Sequence, residues 1–176
     1  RLGNQYSGRR GSRCAGDRII RARAYMSHII VTTGPESSGK TTLAGQLAEN
    51  LRAPLVEEAS RAYLTQLYKM PGISHYQQSD LLEIANIQYQ AEKRTLLQEP
   101  DFIICDTDLL VIMIWSEVRY GSCDKQLLQL FDRSQQLAPR SYLLCDPQIP
   151  WQPDPLRENP DDRDNLYKRY QNKIHQ

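Results

Sequence analysis

The feature that most constrains the fold is a glycine-bounded loop between two periodic segments. Residues 31–43 read VTTGPESSGKTTL, in which Gly34 is followed by four residues and then by Gly39, Lys40 and Thr41. Glycine at both ends lets the backbone turn successive N–H groups toward phosphate oxygens, and a helix that begins at the lysine adds its positive dipole end. This spacing, after a β-branched run and before an amphipathic helix, predicts a cradle for nucleotide phosphates, with Lys40 on the β- and γ-phosphates and Thr41 on Mg²⁺. The predicted cofactor-binding residues are Gly34, Pro35, Glu36, Ser37, Ser38, Gly39, Lys40, Thr41 and Thr42.

Short apolar runs alternate with segments of helical periodicity from residue 28 onward. The runs DFIICD and SYLLCD are apolar without alternation, which indicates strands buried on both faces. Strands that alternate with helices predict an α/β fold, with a parallel sheet flanked by helices on both faces. The predicted strands are 28–33, 53–58, 101–108 and 141–146, and the predicted helices are 40–51, 59–68, 81–98, 109–118, 125–134 and a final one after residue 160.

Polar residues mark the starts of three of these helices. Asp80 and Glu83 have the spacing of a capping box, and Asp124 directly precedes the helix at 125–134. The run NPDD at 159–162 combines a capping residue, a proline at the first helical position and acids in the first turn. Each pattern predicts a helix N-terminus.

The net charge of +1 conceals an uneven distribution along the chain. Residues 1–25 carry seven Arg and one Asp, so the remaining residues carry about −5. This leader is rich in Arg, Gly and Ser, and we expect a disordered extension; a transit peptide and a basic arm for an anionic partner are the alternatives. Residues 26–176 then form one domain, whose acidic balance argues against a nucleic-acid partner.

The cysteines and the longest apolar runs bear on where the protein works. Cys105 and Cys145 lie inside strand patterns, and the chain contains no CxxC or HxxxH spacing. We therefore expect buried thiols in a reducing cytoplasm, with neither disulfides nor a zinc site. The run LLVIMIW at 109–115 is too short to cross a bilayer, so no membrane partner is expected.

Two acids leave the predicted strand at 101–108. Ligands of open α/β sheets bind at the carboxyl edge of the strands, where Asp106 and Asp108 stand. Asp106 is the better candidate for holding Mg²⁺ or its water, whereas Asp108 is better placed to cap the helix at 109–118. The two roles do not exclude each other.

The destination of the phosphate depends on three further features that a small-molecule kinase needs. Glu58 follows the second strand, where a carboxylate would face an acceptor hydroxyl, and Arg61 lies one helical turn later. The Pro-rich loop at 147–160 contains Arg157, and Arg163 follows it, so the region at about 147–165 is predicted to be a closing lid whose arginines stabilise the transferring phosphoryl group. Glu57 is interpreted as a surface acid.

Three aromatic residues are candidates for holding the acceptor. A flat or cationic acceptor needs an aromatic platform, and Trp115, Tyr120 and Trp151 are available. Trp151 is preferred because its Pro-rich surroundings do not suit a deep core position. Trp115 is equally well explained as a core residue.

With these residues assembled, the sequence resembles the P-loop kinase domain of NadR-type proteins, the ribosylnicotinamide kinase family of NAD metabolism. The resemblance implies a P-loop NTPase fold and ATP-dependent phosphorylation of the 5′-hydroxyl of nicotinamide riboside to give nicotinamide mononucleotide. It covers about residues 27–172 and rests on GPESSGKTTL, EEASRAYL (57–64), DLLEIANIQ (80–88), CDTDLLVIMIW (105–115), YG (120–121) and LLCDPQIPWQPDPLRENPDDR (143–163). The roles it implies are nucleotide and Mg²⁺ binding for Lys40 and Thr41, an acceptor-side pair Glu58 and Arg61, an acidic pair Asp106 and Asp108, and a lid motif with Trp151, Arg157 and Arg163.

Two features depart from the family's pattern. Bifunctional members carry an adenylyltransferase domain with an HxGH motif, which His28, His75 and His175 do not form. Family kinases also continue beyond the lid helix into one more strand and helix. With the last residue at Gln176, we expect either a fragment or a sheet that is one strand short.

The predicted mechanism is in-line transfer of the γ-phosphoryl group of ATP, with Glu58, or Asp108 as second choice, orienting the acceptor hydroxyl. Two other functions remain open. One is a kinase for a different nucleoside or small metabolite, and the other is an ATP-binding regulatory module that hydrolyses slowly and signals through a partner. Acceptor-dependent release of ADP distinguishes them. The sequence does not predict an oligomeric state.

Overall fold

The computed structural model describes residues 27–157 and 161–175, so the predicted leader at 1–25 lies outside the described residues. Strands and helices alternate through most of the described chain, as the sequence predicts. No helix in these two ranges is long and apolar enough to span a bilayer. The elements are β1 (His28–Thr33), α1 (Lys40–Leu51), β2 (Leu55–Val56), α2 (Ala59–Leu67), α3 (Gln78–Leu96), β3 (Phe102–Asp106), α4 (Leu109–Tyr120), α5 (Lys125–Gln135), β4 (Arg140–Leu144) and α6 (Arg163–Ile174).

The strands form one parallel sheet in the order β2-β3-β1-β4. Ile30 of β1 is in register with Ile104 of β3 and with Ser141 of β4. The neighbouring residues Ile103 and Ile104 point to opposite faces of the sheet, and both are fully buried. Helices therefore cover both faces around β3, which confirms the predicted α/β fold.

The edge strand β4 corrects one prediction. SYLLCD was expected to be buried on both faces, but Ser141 is exposed and Leu143 is 38% exposed. Tyr142 and Leu144, on the opposite face, pack against the cluster that contains Leu166 and Tyr170, so the described residues cover this edge strand on one face only. Cys145, just beyond it, is accordingly only partly buried, whereas Cys105 in β3 is fully buried as predicted.

The helix starts follow the predicted capping residues in two cases and differ in two. Asp124 Oδ1 accepts a hydrogen bond from the Gln126 N–H at 2.7 Å, as predicted. The capping-box prediction was displaced by three residues: α3 begins at Gln78, and Asp80 Oδ2 accepts from the Gln77 N–H at 2.7 Å. The last helix begins at Arg163, later than the NPDD run predicts, and residues 159 and 160 lie outside the described ranges. The remaining helix start, at Asp108, confirms its predicted cap: Asp108 Oδ1 accepts from the Leu110 N–H at 3.0 Å.

A buried charged network lies between the sheet and its helices. Arg140 Nη1 donates to Asp108 Oδ2 at 2.7 Å, and Arg140 Nη2 donates to Glu92 Oε2 at 3.2 Å. The Tyr142 hydroxyl donates to the same Asp108 oxygen at 2.7 Å. Burial raises the pKa of Glu92 to about 7, against the opposing attraction of Arg140. Because the folded state favours protonated Glu92, its contribution to stability is largest below the ordinary glutamate pKa and declines as the pH rises toward 7.

Replacing Arg140 with methionine should lower the free energy of unfolding by about 3–5 kcal/mol at pH 8, because two buried carboxylates lose their cation. Urea unfolding followed by circular dichroism measures the change. The loss should be smaller at pH 5, where Glu92 is protonated in the folded protein. Arg133→Met, at an exposed position of α5, is the control and should change stability by less than about 0.5 kcal/mol. Equal losses at both pH values would contradict this account of Glu92.

Candidate active site

The glycine-bounded loop joins the carboxyl end of β1 to the first turn of α1. Gly34 has φ +134°, and a Cβ there would lie 2.7 Å from the carbonyl oxygen of Cys145, so the close approach of β4 requires glycine. Gly39 has φ +83° and occupies the N-cap of α1 without any side-chain cap. The first N–H groups of α1 therefore remain available to an anion, which agrees with the predicted phosphate cradle.

A cleft of about 230 Å³ opens over this loop. The structure brings all nine predicted cofactor-binding residues, from Gly34 to Thr42, to its walls. Glu58, Arg61, Trp115 and Arg157 also line it, as the sequence predicts. The lining residues that the sequence did not identify are Ser60, Leu64, Val111, Ile149, Pro150, Gln152, Leu156, Leu166 and Tyr170.

The side chain of Lys40 is held over the loop by a backbone carbonyl group of the loop itself. Its Nζ donates to the carbonyl oxygen of Pro35 at 2.6 Å. Burial lowers the pKa of Lys40, while the nearby carboxylates of Glu58 and Asp106 oppose that shift. A phosphate in the cradle would add negative charge beside this ammonium group, which burial leaves poorly solvated.

Asp106 and Thr41 fit the expected Mg²⁺ ion. Asp106 is 4% exposed, and its Oδ1 has no hydrogen-bond partner within the part of the chain that the structure describes. Burial raises the pKa of Asp106, and a hydrogen bond with Thr41 opposes the shift. No group of three or more His, Cys, Asp or Glu side chains among the described residues could hold a metal by itself. These two side chains with phosphate oxygens and water would suit Mg²⁺, which usually keeps several waters.

Asp108 does not share this position, and its second-choice role at the acceptor is not supported. It is fully buried, lies outside the lining of the cleft, and uses its carboxylate on the Leu110 N–H, Arg140 and Tyr142. The reason is the turn between the two acids: Thr107 has φ +66°, in the left-handed region. Asp106 and Asp108 thus face different surroundings although they alternate in sequence.

Glu58 and Arg61 reach the cleft from the start of α2. Glu58 is the N-cap of α2 but makes no side-chain capping bond, and its Oε1 accepts from the Ser60 hydroxyl at 2.6 Å. Arg61 forms an ion pair with Asp154 of the predicted lid at 3.0 Å. Glu57 is exposed and absent from the cleft lining, as expected of a surface acid.

The predicted lid contacts the phosphate loop through Ser37. Arg157 Nη1 donates to Ser37 Oγ at 2.8 Å, and the Gln152 N–H donates to the same oxygen at 3.2 Å. Arg163 Nη1 donates to the carbonyl oxygens of Ile149 at 2.8 Å and Ser37 at 3.3 Å. Arg157 lines the cleft, whereas Arg163 does not, so Arg163 supports the lid loop from behind.

The three aromatic candidates occupy different positions. Trp115 lines the cleft and stacks on Tyr76, with ring centroids 6.5 Å apart. Trp151, the preferred platform, is not part of the lining; its ring centre lies 5.9 Å from the guanidinium carbons of both Arg157 and Arg163. Tyr120 is also outside the lining, and its hydroxyl donates to the carbonyl oxygen of Tyr76 at 3.0 Å. Trp151 and Tyr120 therefore support neighbouring residues in this structure.

A second recess, of about 340 Å³, adjoins the cleft on the side of Trp115. Tyr76, Val118 and Arg119 line it, and the Arg119 guanidinium carbon lies 4.3 Å from the centre of the Tyr76 ring. It lies next to the cleft, with which it shares five lining residues: Glu36, Leu64, Trp115, Leu156 and Leu166. The phosphate loop thus opens onto a partly aromatic space large enough for part of a second molecule.

Comparison with protein families shows one match. The AAA_28 family model, an AAA domain, matches residues 29–176, which is most of the chain. No curated protein matches the chain.

Solved structures with a fold similar to that of this chain include NadR and a thymidylate kinase. The NadR protein in complex with NAD and AMP-PNP has a TM-score of 0.65 and 21% sequence identity, covering 87% of this chain and 42% of that chain. NadR in complex with NR gives the same TM-score and identity, with 44% of that chain covered. The thymidylate kinase of Ehrlichia chaffeensis has a TM-score of 0.61 and 22% identity, covering 85% of this chain and 90% of that chain. The chain spans less than half of the NadR chains, and the predicted resemblance is confirmed at the level of the fold.

Mg²⁺ should raise the affinity for nucleotide, and Asp106→Asn should reduce that gain roughly 10- to 100-fold, because an amide is a weaker ligand than a carboxylate. Isothermal titration calorimetry with a non-hydrolysable ATP analogue, in Mg²⁺ and in EDTA, measures that gain. Asp108→Asn is the matched control: it should lower thermal stability while keeping the Mg²⁺-dependent gain within about threefold of the wild type. The reverse pattern would exchange the roles of the two acids.

Proposed function

Because the chain belongs to the AAA_28 family and has the fold of P-loop kinases, we propose that it is an ATP-dependent kinase that phosphorylates the 5′-hydroxyl of nicotinamide riboside. The observation that carries the proposal is the shared cleft: the phosphate loop and Glu58 line the same space, and the recess beside Trp115 adjoins it. A nucleotide on the loop would place its terminal phosphate where an acceptor in the recess can meet it.

The residues of the cleft divide the work of phosphoryl transfer. Lys40 and the N–H groups at the start of α1 would bind the β- and γ-phosphates, and Arg157 would turn from Ser37 toward the transferring group. Glu58 would accept a hydrogen bond from the acceptor hydroxyl and orient it in line with the phosphoryl group. Mg²⁺ bound at Thr41 and Asp106 would neutralise charge on the phosphate oxygens. Because the transition state is loose, positioning contributes more than removal of the proton.

The acceptor assignment draws on two lines of support. The recess offers the stacked pair Trp115 and Tyr76 to a flat ring, and the adjoining cleft offers the polar side chains of Glu58 and Arg61 to a ribose. The fold is similar to that of NadR, which has been solved in complex with NR. Thus the size and chemistry of the recess support a nucleoside, and the resemblance supports nicotinamide riboside among nucleosides.

A second candidate is a kinase for another nucleoside or small metabolite. The observation that favours it is the similarity to thymidylate kinase, of which this chain covers 90%. The machinery around the phosphate loop would be the same, and only the acceptor in the recess would differ.

The deciding experiment is coupled ADP release with Mg²⁺-ATP and a panel of acceptors: nicotinamide riboside, purine and pyrimidine nucleosides, thymidylate, and no acceptor. Mass spectrometry identifies the phosphorylated product. We expect nicotinamide riboside alone to stimulate turnover and gain one phosphate. Stimulation by another acceptor would support the second candidate, and slow release that no acceptor stimulates would indicate a regulatory ATPase.

Lys40→Ala should reduce turnover roughly 100- to 1,000-fold, because it removes a preorganised charge from the developing transition state. Glu58→Gln should reduce it only about tenfold, since a loose transition state depends less on a base. Steady-state kinetics with the accepted nucleoside measures both changes. Glu57→Gln, exposed and one residue away, is the control and should leave turnover unchanged. Wild-type turnover in Glu58→Gln would exclude Glu58 from the mechanism.

A further inference from the structure

A buried amide on α3 joins two of the loops that form the cleft. Gln88 is 1% exposed. A polar side chain that is buried this deeply needs hydrogen-bond partners within the protein. Its Oε1 accepts a hydrogen bond from the Ala59 N–H at 3.0 Å, and its Nε2 donates to the carbonyl oxygen of Thr107 at 3.4 Å. A backbone donor on one side and a backbone acceptor on the other fix the orientation of the amide. Gln88 is the last residue of the run DLLEIANIQ.

The first of these bonds affects Glu58. The first N–H groups of a helix have no partner within the helix, and the N-cap side chain commonly supplies one. Glu58 stands at the N-cap of α2 but makes no capping bond. Gln88 binds the Ala59 N–H, the first of these groups, and so fixes the backbone directly after Glu58, whose carboxylate accepts from Ser60 and lines the cleft.

The second bond affects Asp106. Thr107 adopts φ +66°, a conformation that is unfavourable for a β-branched residue and persists only where neighbouring groups enforce it. Its N–H donates to the carbonyl oxygen of Thr32 at 3.0 Å, and its own carbonyl oxygen accepts from Gln88. Gln88 and β1 therefore hold the turn that separates Asp106, in the cleft, from Asp108, behind it.

We propose that Gln88 is a positioning residue that sets the metal-side carboxylate, Asp106, at a fixed distance from the acceptor-side carboxylate, Glu58. One amide contacts the peptide units next to both: Ala59 follows Glu58, and Thr107 follows Asp106. The acceptor-side role of Glu58 rests on the proposed function. The effect of Gln88 on Asp106 can be measured by nucleotide binding alone.

Gln88→Met tests the proposal because methionine fills a similar volume and forms neither hydrogen bond. Calorimetry with a non-hydrolysable ATP analogue, in Mg²⁺ and in EDTA, should show the Mg²⁺-dependent gain in affinity reduced about 10-fold, with the affinity in EDTA within about twofold of the wild type. Where turnover is measurable, kcat should fall while KM for ATP changes little.

The matched control is Ile84→Ala, one turn earlier on the same face of α3. Ile84 is fully buried in the core between α3 and α4 and contacts neither loop through a hydrogen bond. Its replacement should lower Tm and leave the Mg²⁺-dependent gain within about twofold of the wild type. A gain reduced equally by Ile84→Ala and Gln88→Met would show a merely structural role and overturn the proposal.

Gln88→Glu supplies a test that does not depend on the methionine variant folding. A protonated glutamic acid can accept from the Ala59 N–H and donate to the Thr107 carbonyl oxygen, whereas an ionised one cannot donate. Burial favours the protonated form. The titratable groups on this side are Glu92, whose pKa burial raises and the nearby Gln88 amide lowers, and then Cys105, Asp108, Arg140 and Tyr142.

The Mg²⁺-dependent gain of Gln88→Glu, divided by that of the wild type at each pH, should therefore be near one at pH 5.5 and fall several-fold by pH 8.5. A ratio as low at pH 5.5 as at pH 8.5 would overturn the proposal, because the protonated acid forms both hydrogen bonds. Because no acceptor enters these titrations, a silent acceptor panel would defeat the proposed function and leave this result standing. A normal Mg²⁺ response in Gln88→Met would defeat the positioning role and leave the proposed kinase intact.

Discussion

The site depends on two hydrogen bonds that the last two carbonyl groups of β1 accept from the neighbouring strands' exit loops. The carbonyl oxygen of Thr32 accepts from the Thr107 N–H at 3.0 Å, and that of Thr33 accepts from the Cys145 N–H at 2.8 Å. These bonds extend the parallel ladder by one residue beyond β3 and β4, just where each chain leaves the sheet. As a result, the phosphate loop, the acidic loop after β3 and the lid loop after β4 all start from one point, and Gly34 is required there because Cys145 approaches so closely.

The two carboxylates of the acidic loop, Asp106 and Asp108, lie in different surroundings. Asp106 lies beside Thr41 and keeps one oxygen without a partner in the described part of the chain, whereas Asp108 is bonded to Arg140, Tyr142 and a backbone N–H. The buried network behind the sheet therefore anchors the loop without competing for the oxygen that a metal would use. Gln88 connects this loop to α2, since its amide bonds the Ala59 N–H and the Thr107 carbonyl oxygen.

The lid is tied to the phosphate loop in this structure. Ser37, itself at φ +54°, accepts hydrogen bonds from Arg157 and from the backbone of Gln152, and Trp151 packs beside Arg157 and Arg163. In the proposed reaction, Arg157 of the predicted lid would turn from Ser37 toward the transferring phosphoryl group.

The sequence by itself determined the α/β order, the limits of β1 and α1, the phosphate loop and the caps at Asp108 and Asp124, because all of these are local: periodicity, glycine spacing and a polar residue before a helix suffice. It also identified Asp106, Glu58 and Arg157 as candidates, since each follows a strand or stands in the lid motif. It ranked Asp106 above Asp108 for the metal, but it could not exclude Asp108 from the acceptor side, because one left-handed residue, Thr107, and a distant partner, Arg140, decide where each carboxylate points. Only the tertiary structure placed Trp151 against arginines, left β4 half exposed and gave Gln88 its two partners, because those outcomes depend on residues that meet across the fold while lying far apart in the chain.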